Sequence, residues 1–148
     1  MKVILGTDHA GYKLKEALKK FLVSESYKVE DLGANSSESC DYPDFIYPVA
    51  KKVGKDKDAK GIILGGSGQG EAITANRVKG VRAAVYYGGP LDILTLSREH
   101  NDANILSLGA RFVSEKDAKK AVLLWLKTAF SGEERHIRRI KKIDAYGN

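Results

Sequence analysis

Short runs of β-branched and aliphatic residues alternate along the chain with longer stretches of helical period. Val3-Ile4-Leu5 reads as a strand, and Leu14, Leu18, Phe21 and Leu22 after it share one helical face. The alternation continues through a weaker strand around Val29 to Leu32, a helix from about Phe45 to Val53, and Gly61 to Leu64, whose uninterrupted apolar character suits a strand covered on both faces. Val81 to Tyr87 and Asn104 to Leu108 predict two more strands, with Pro90 to Glu99 helical between them and 115–129 and 133–145 helical afterwards. Strands that alternate with helices of this length predict a parallel sheet with crossover helices. No linker, repeat or low-complexity tract interrupts the pattern, so 1-148 reads as one domain.

The formal net charge of +6 favours anionic partners without choosing among nucleic acid, phosphorylated metabolites and anionic lipid. Much of the excess sits in Arg135, His136, Arg138, Arg139, Lys141 and Lys142, which makes a localised anion site as reasonable as a general basic surface. The single cysteine, Cys40, forms no intrachain disulfide, and the first residues lack the apolar stretch of a signal peptide. Every hydrophobic run is broken by Lys or Arg before membrane-spanning length. The expectation is a cytoplasmic protein with no membrane partner. Aromatic–basic interleaving and the usual DNA- or RNA-binding signatures are absent, so a nucleic-acid partner is not expected.

In parallel sheets ligands bind beyond the carboxyl ends of the strands. The residues there are Thr7-Asp8-His9, Gly65-Gly66-Ser67-Gly68-Gln69-Gly70-Glu71, Tyr86-Tyr87 and Gly109-Ala110-Arg111. Gly66, Gly68 and Gly70 let the loop turn tightly and point backbone N–H groups into one concavity at a helix N-terminus, where an anion or a developing oxyanion fits. The spacing matches neither a Walker loop nor a dinucleotide fingerprint. A bland tight turn is the alternative. Glu71 falls in the first turn of the next helix, where the dipole favours a carboxylate whatever its role. Beside an N–H cradle, that carboxylate can also remove a carbon-bound proton while the cradle stabilises an enediolate oxygen. Ser67 either hydrogen-bonds such an oxygen or is a turn residue.

Arg135 and Arg139 are four apart, on one helical face, and Arg111 follows the last strand; together they could clamp a terminal phosphate. A solvated basic helix is the plainer reading of the C-terminal pair. Asn101 could hydrogen-bond a ligand's hydroxyl groups or simply form an Asn-Asp turn. His100, Asp8, His9 and Tyr42 each have an ordinary explanation as well: a helix cap, an N-cap, a loop histidine, and a ring over a turn proline.

Gly6-Thr7-Asp8-His9-Ala10-Gly11, Asp41-Tyr42-Pro43, the GGSGQGE loop, Ala75-Asn76, Arg98-Glu99-His100-Asn101 and Arg135-His136 occur in one order. That order resembles the ribose-5-phosphate isomerase B family, which includes galactose-6-phosphate isomerase subunits, from residue 1 to about residue 145. The resemblance implies an α/β, three-layer Rossmann-like sandwich: a five-stranded mostly parallel sheet, helices on both faces and an extended C-terminal helix. It implies an aldose–ketose isomerase acting on ribose 5-phosphate, with allose 6-phosphate and galactose 6-phosphate as alternatives and a non-catalytic scaffold as a further one. The commoner branch of the family has a catalytic cysteine where this chain has Gly65, so the chain resembles the branch whose base is the glutamate matching Glu71. His100 then assists ring opening, Asp8 contacts the sugar near its ring oxygen, His9 helps hold the phosphate with Arg111, Arg135 and Arg139, and Tyr42 lines the substrate. No metal or other cofactor is implied. The family also implies a homodimer or a tetramer with sites built across the interface, and the apolar C-terminal residues Val122, Leu123, Trp125, Leu126 and Ile140 are the expected partner surface.

Overall fold

The computed structural model describes residues 1–146. Its elements are β1 (Lys2–Thr7), a short 3-10 turn (His9–Gly11), α1 (Tyr12–Ser24), β2 (Lys28–Asp31), α2 (Tyr42–Lys55), β3 (Ala59–Gly65), α3 (Gln69–Ala75), β4 (Ala83–Tyr86), α4 (Asp92–Glu99), β5 (Ile105–Gly109), α5 (Glu115–Lys127) and α6 (Glu134–Tyr146). The strands form one sheet in the order β2-β1-β3-β5-β4, and every pairing is parallel. The Rossmann-like α/β expectation holds. Strand order reverses between β1 and β3, which places a crevice between the ends of those two strands.

Period-2 alternation divides the core into two layers. Val3, Leu5, Ile62, Leu64, Leu106 and Leu108 face Leu18 and Leu22 of α1, Leu94 of α4, and Val122 and Trp125 of α5. Ile4, Ile63 and Ile105 point the other way, against Ile46, Val49, Ala50 and Val53 of α2 and Ala75 of α3. Val122, Trp125 and Leu126 are therefore core residues rather than the partner surface expected of them, because α5 turns that face onto its own sheet. Among the described residues, Ile137, Ile143 and Tyr146 are the exposed large apolar side chains of α6.

α2 begins at Tyr42, ahead of the apolar pattern, since Pro43 lies in its first turn, where a missing N–H costs nothing. The edge strand β4 is shorter than its apolar run. The Asn76 side chain fastens its start, accepting from Ala83 N–H at 2.8 Å and donating to Ala83 C=O at 3.1 Å. No helix among the described residues is long and apolar enough to cross a membrane.

Lys15 is fully buried on the apolar face of α1. Its ammonium donates to both oxygens of Asp31, at 2.8 and 2.7 Å, and Asp31 also accepts from Lys19 and from Gly33 N–H. Removing one partner of a buried pair strands the other charge, which typically costs about 3–5 kcal/mol. Asp31→Ala leaves the Lys15 ammonium with the partly exposed Glu16, 3.0 Å away, and is expected to lower unfolding free energy in urea toward the lower end of that range. Lys15→Met should lose less, because Asp31 keeps Lys19 and the Gly33 amide.

Candidate active site

The crevice at the carboxyl ends of β1 and β3 is built from local turns. At the end of β1, the Thr7 hydroxyl donates to Leu64 C=O at 3.0 Å and so ties β1 to β3. Asp8, almost buried, caps the 3-10 turn: Oδ1 accepts from Ala10 N–H at 2.9 Å and Gly11 N–H at 3.4 Å. His9 follows, half-buried, and its Nδ1 accepts from Cys40 N–H at 3.3 Å. A neutral His9 bonded in this way carries its proton on Nε2, free to donate toward an anion.

The glycine loop leaves β3 at Gly65 and enters α3 at Gln69, with Gly68 as N-cap at a φ of 78° that favours glycine. Ser107, buried on β5, donates to Gly68 C=O at 2.7 Å and pins the loop from below. Ser67 accepts from Gln69 N–H at 3.3 Å and is otherwise exposed. Arg111 N–H donates to Gly66 C=O at 3.1 Å, and its guanidinium lies over Gly66, 3.1 Å from where a Cβ would stand. The Tyr42 ring packs on Gly70 from the other side.

Glu71 turns its carboxylate back to the end of β3. A Cβ on Gly65 would lie 1.8 Å from Glu71 Oε1, so the carboxylate occupies the room that any other residue at position 65 would need. Glu71 is 4% exposed. Burial raises its proton affinity above the usual carboxylate range, the Glu71 N–H partly offsets this, and the charge of Asp8 adds to the rise. A carboxylate in that condition, beside the first-turn N–H groups of α3 that no helical carbonyl satisfies, suits proton transfer at carbon.

The remaining sequence-predicted residues lie elsewhere. α4 starts at the carboxyl end of β4 and runs back, so its C-cap His100 and the following Asn101 are at the amino edge of the sheet. There Asn101 C=O accepts from Arg82 Nε at 3.0 Å, and Arg82 immediately precedes β4. The two edges are roughly 20 Å apart across the seven residues of β3, at about 3.3 Å per residue. α6 packs at the amino edge too: the His136 and His100 rings stack there, and Arg82 Nη1 is 3.6 Å from Asp144. Arg135, which donates to Glu133 at 2.7 Å, and Arg139 are exposed on that helix. One chain thus gathers Asp8, His9, Tyr42, Ser67, Gly66, Gly68, Gly70, Glu71 and Arg111 at one edge, and His100, Asn101, Arg135 and Arg139 at the other.

Sequence reasoning missed Ser107, a polar residue inside an apolar strand, and Arg98. Arg98 is 6% exposed, and its guanidinium donates to Ala103 C=O, Thr128 C=O and Asp102 and so fixes the end of α4 that carries His100. A charged residue four before Asp102 was the available signal.

Residues 3–143 match the family profile described as Ribose/Galactose Isomerase. Ribose-5-phosphate isomerase B of Mycolicibacterium paratuberculosis is 38% identical, over 99% of this chain and 91% of that protein. The solved ribose-5-phosphate isomerase B of Clostridium thermocellum superposes with a TM-score of 0.91 at 45% identity, covering 98% of this chain and 96% of the other. That of Mycoplasma genitalium, solved with bound ribulose-5-phosphate, gives 0.92 at 40% identity, covering 98% and 95%. The family profile, the fold and the full-length similarity agree, and the chain belongs to the ribose/galactose isomerase family.

Proposed function

We propose that this protein is a cytoplasmic type B ribose-5-phosphate isomerase that interconverts D-ribose 5-phosphate and D-ribulose 5-phosphate through a cis-enediolate, using neither metal nor other cofactor. The observation that carries the reading is Glu71, a buried carboxylate of raised proton affinity set against Gly65 at the mouth of the glycine loop. The substrate named for the relatives, and the ribulose-5-phosphate bound in one of them, support a pentose over a hexose phosphate.

The phosphate is held by His9 and Arg111 of one subunit and by Arg135 and Arg139 of a second. His100 and Asp8 open the ring, while Asn101 and Tyr42 hold the sugar. Glu71 then takes the C2 proton, the C2 electron pair forms the C1–C2 double bond, and O1 takes a proton. The α3 N–H groups and Ser67 stabilise the enediolate oxygen. Return of the proton from Glu71 to C1, with loss of the O2 proton, completes the ketose. Glu71 and His100 occupy opposite edges of one chain, so a single sugar meets both only where a second copy brings its amino edge to this rim. A homodimer is the smallest assembly that does so. Ile137 and Ile143 on α6 and Tyr47 and Ile73 on α2 and α3 are the exposed apolar residues suited to that contact.

Glu71→Gln is expected to lower turnover of ribose 5-phosphate by about 10²–10⁴-fold, the usual worth of a general base. Folding favours protonated Glu71, so its contribution to stability is full below the ordinary carboxylate pKa and is lost as pH rises through the raised one. The variant should therefore melt higher than wild type near neutral pH, with the gap closing toward about pH 4. Turnover of allose 6-phosphate or galactose 6-phosphate alone would keep the base and change the substrate. A folded dimer inactive on all three sugars would end the isomerase reading.

Mixing inactive Glu71→Gln with inactive His100→Asn tests the shared site. If Glu71 and His100 come from different subunits, each heterodimer has one intact site, and an equal mixture after exchange regains about a quarter of wild-type activity. If one subunit supplies both, none returns.

A further inference from the structure

α6 has a single buried residue, His136, which is 2% exposed. Its imidazole lies face to face with that of His100, with centroids 4.2 Å apart and planes 15° from parallel. Among the described residues His136 Nε2 has no hydrogen-bond partner, and Glu133 Oε2 stands 3.9 Å away. The backbone beneath His100 is fixed by Arg98, and by Trp125 Nε1, which donates to Ser97 Oγ at 3.1 Å. An unsatisfied buried nitrogen costs stability, so the role of His136 is not explained by its hydrogen bonding.

We infer that His136 is a positioning residue for sugar ring opening: it is the flat platform that sets the plane of the His100 ring. The inference rests on the function proposed above. In ring opening the C1–O4 bond breaks and its electron pair goes to O4. A proton leaves the anomeric O1 and a proton arrives at O4, so none is gained or lost. An imidazole that relays this proton must present its nitrogens edge-on to the sugar, and a ring free to turn about χ2 spends much of its time misaligned. Stacking removes that freedom. The platform must also stay uncharged while His100 exchanges protons, since two imidazolium rings at this separation repel. Burial holds His136 below the usual histidine range, the charges of His100, Arg135 and Arg139 act in the same sense, and Glu133 opposes them.

The two directions of the reaction separate this role from a structural one. Ribulose 5-phosphate carries its carbonyl at C2 and its O5 is esterified, so it cannot close a five-membered ring and enters enolisation already open. The test compares turnover of ribose 5-phosphate with solvent-deuterium exchange at C1 of ribulose 5-phosphate, for wild type, His136→Ala and His136→Phe. Melting curves and light scattering confirm a folded dimer. His136→Ala should lose about ten- to a hundredfold in kcat on the aldose, the scale of a misplaced catalytic group, with exchange into the ketose near the wild-type rate. His136→Phe restores a flat ring, removes the unsatisfied nitrogen, and should recover most of the aldose rate. Equal losses in both reactions, or a folded Phe variant as slow on the aldose as Ala, would overturn the inference. A wild-type protein inactive on both sugars would instead sink the proposed function.

Discussion

A carboxylate can reach the end of a central strand only where the strand leaves room for it. β3 is buried along almost its whole length between α2 and the layer formed by α1 and α5, and its last residue is Gly65. Glu71 fills the missing side chain's place. The rest of the rim follows from that exchange. Burial raises the proton affinity of Glu71. The turn that brings it back needs Gly68 in a left-handed conformation, and Ser107 holds that turn down. The proposed chemistry therefore depends on packing at residue 65 as much as on the acid itself.

Parallel topology imposes the second constraint. Each helix that starts at the carboxyl edge must end at the amino edge, so residues that close α4 cannot belong to the crevice that residues after β1 and β3 form. A buried Arg98 and a left-handed Asp102 make the α4–β5 turn rigid, which fits a surface that presents His100 and Asn101 outward rather than a simple connector.

The sheet and the loop were legible because their signals are local. Ile62 to Leu64 are apolar without interruption, and GGSGQGE places an acid at a fixed distance from a strand end. The burial of Lys15 and Arg98 was not legible, since periodicity reads a charged residue as solvent-facing, and their partners Asp31 and the Thr128 carbonyl arrive from other elements. The function of α5 was misjudged for a related reason: an apolar helical face states that it will be covered, not by what. Val122 and Trp125 found their own sheet. The residues proposed to meet the substrate were named from the sequence, while the supporting Ser107 and Arg98 were not, and the division of the site between two edges depends on which way α4 runs.

α6 shows what remains when a helix has no such cover. Thirteen residues are marginal as an isolated helix in water, and of its apolar side chains Ile137 and Ile143 stay 37% and 50% exposed. Among the described residues, its anchors to its own chain include the His136–His100 stack and the Arg82–Asp144 pair. A helix held so lightly gains order from whatever covers Ile137 and Ile143, and ordering it also orders Arg135 and Arg139 on the adjacent turns and presses His136 against His100. Assembly of the proposed dimer would thus complete the proposed phosphate grip and steady the histidine proposed for ring opening in one event, with no conformational change required of the sheet.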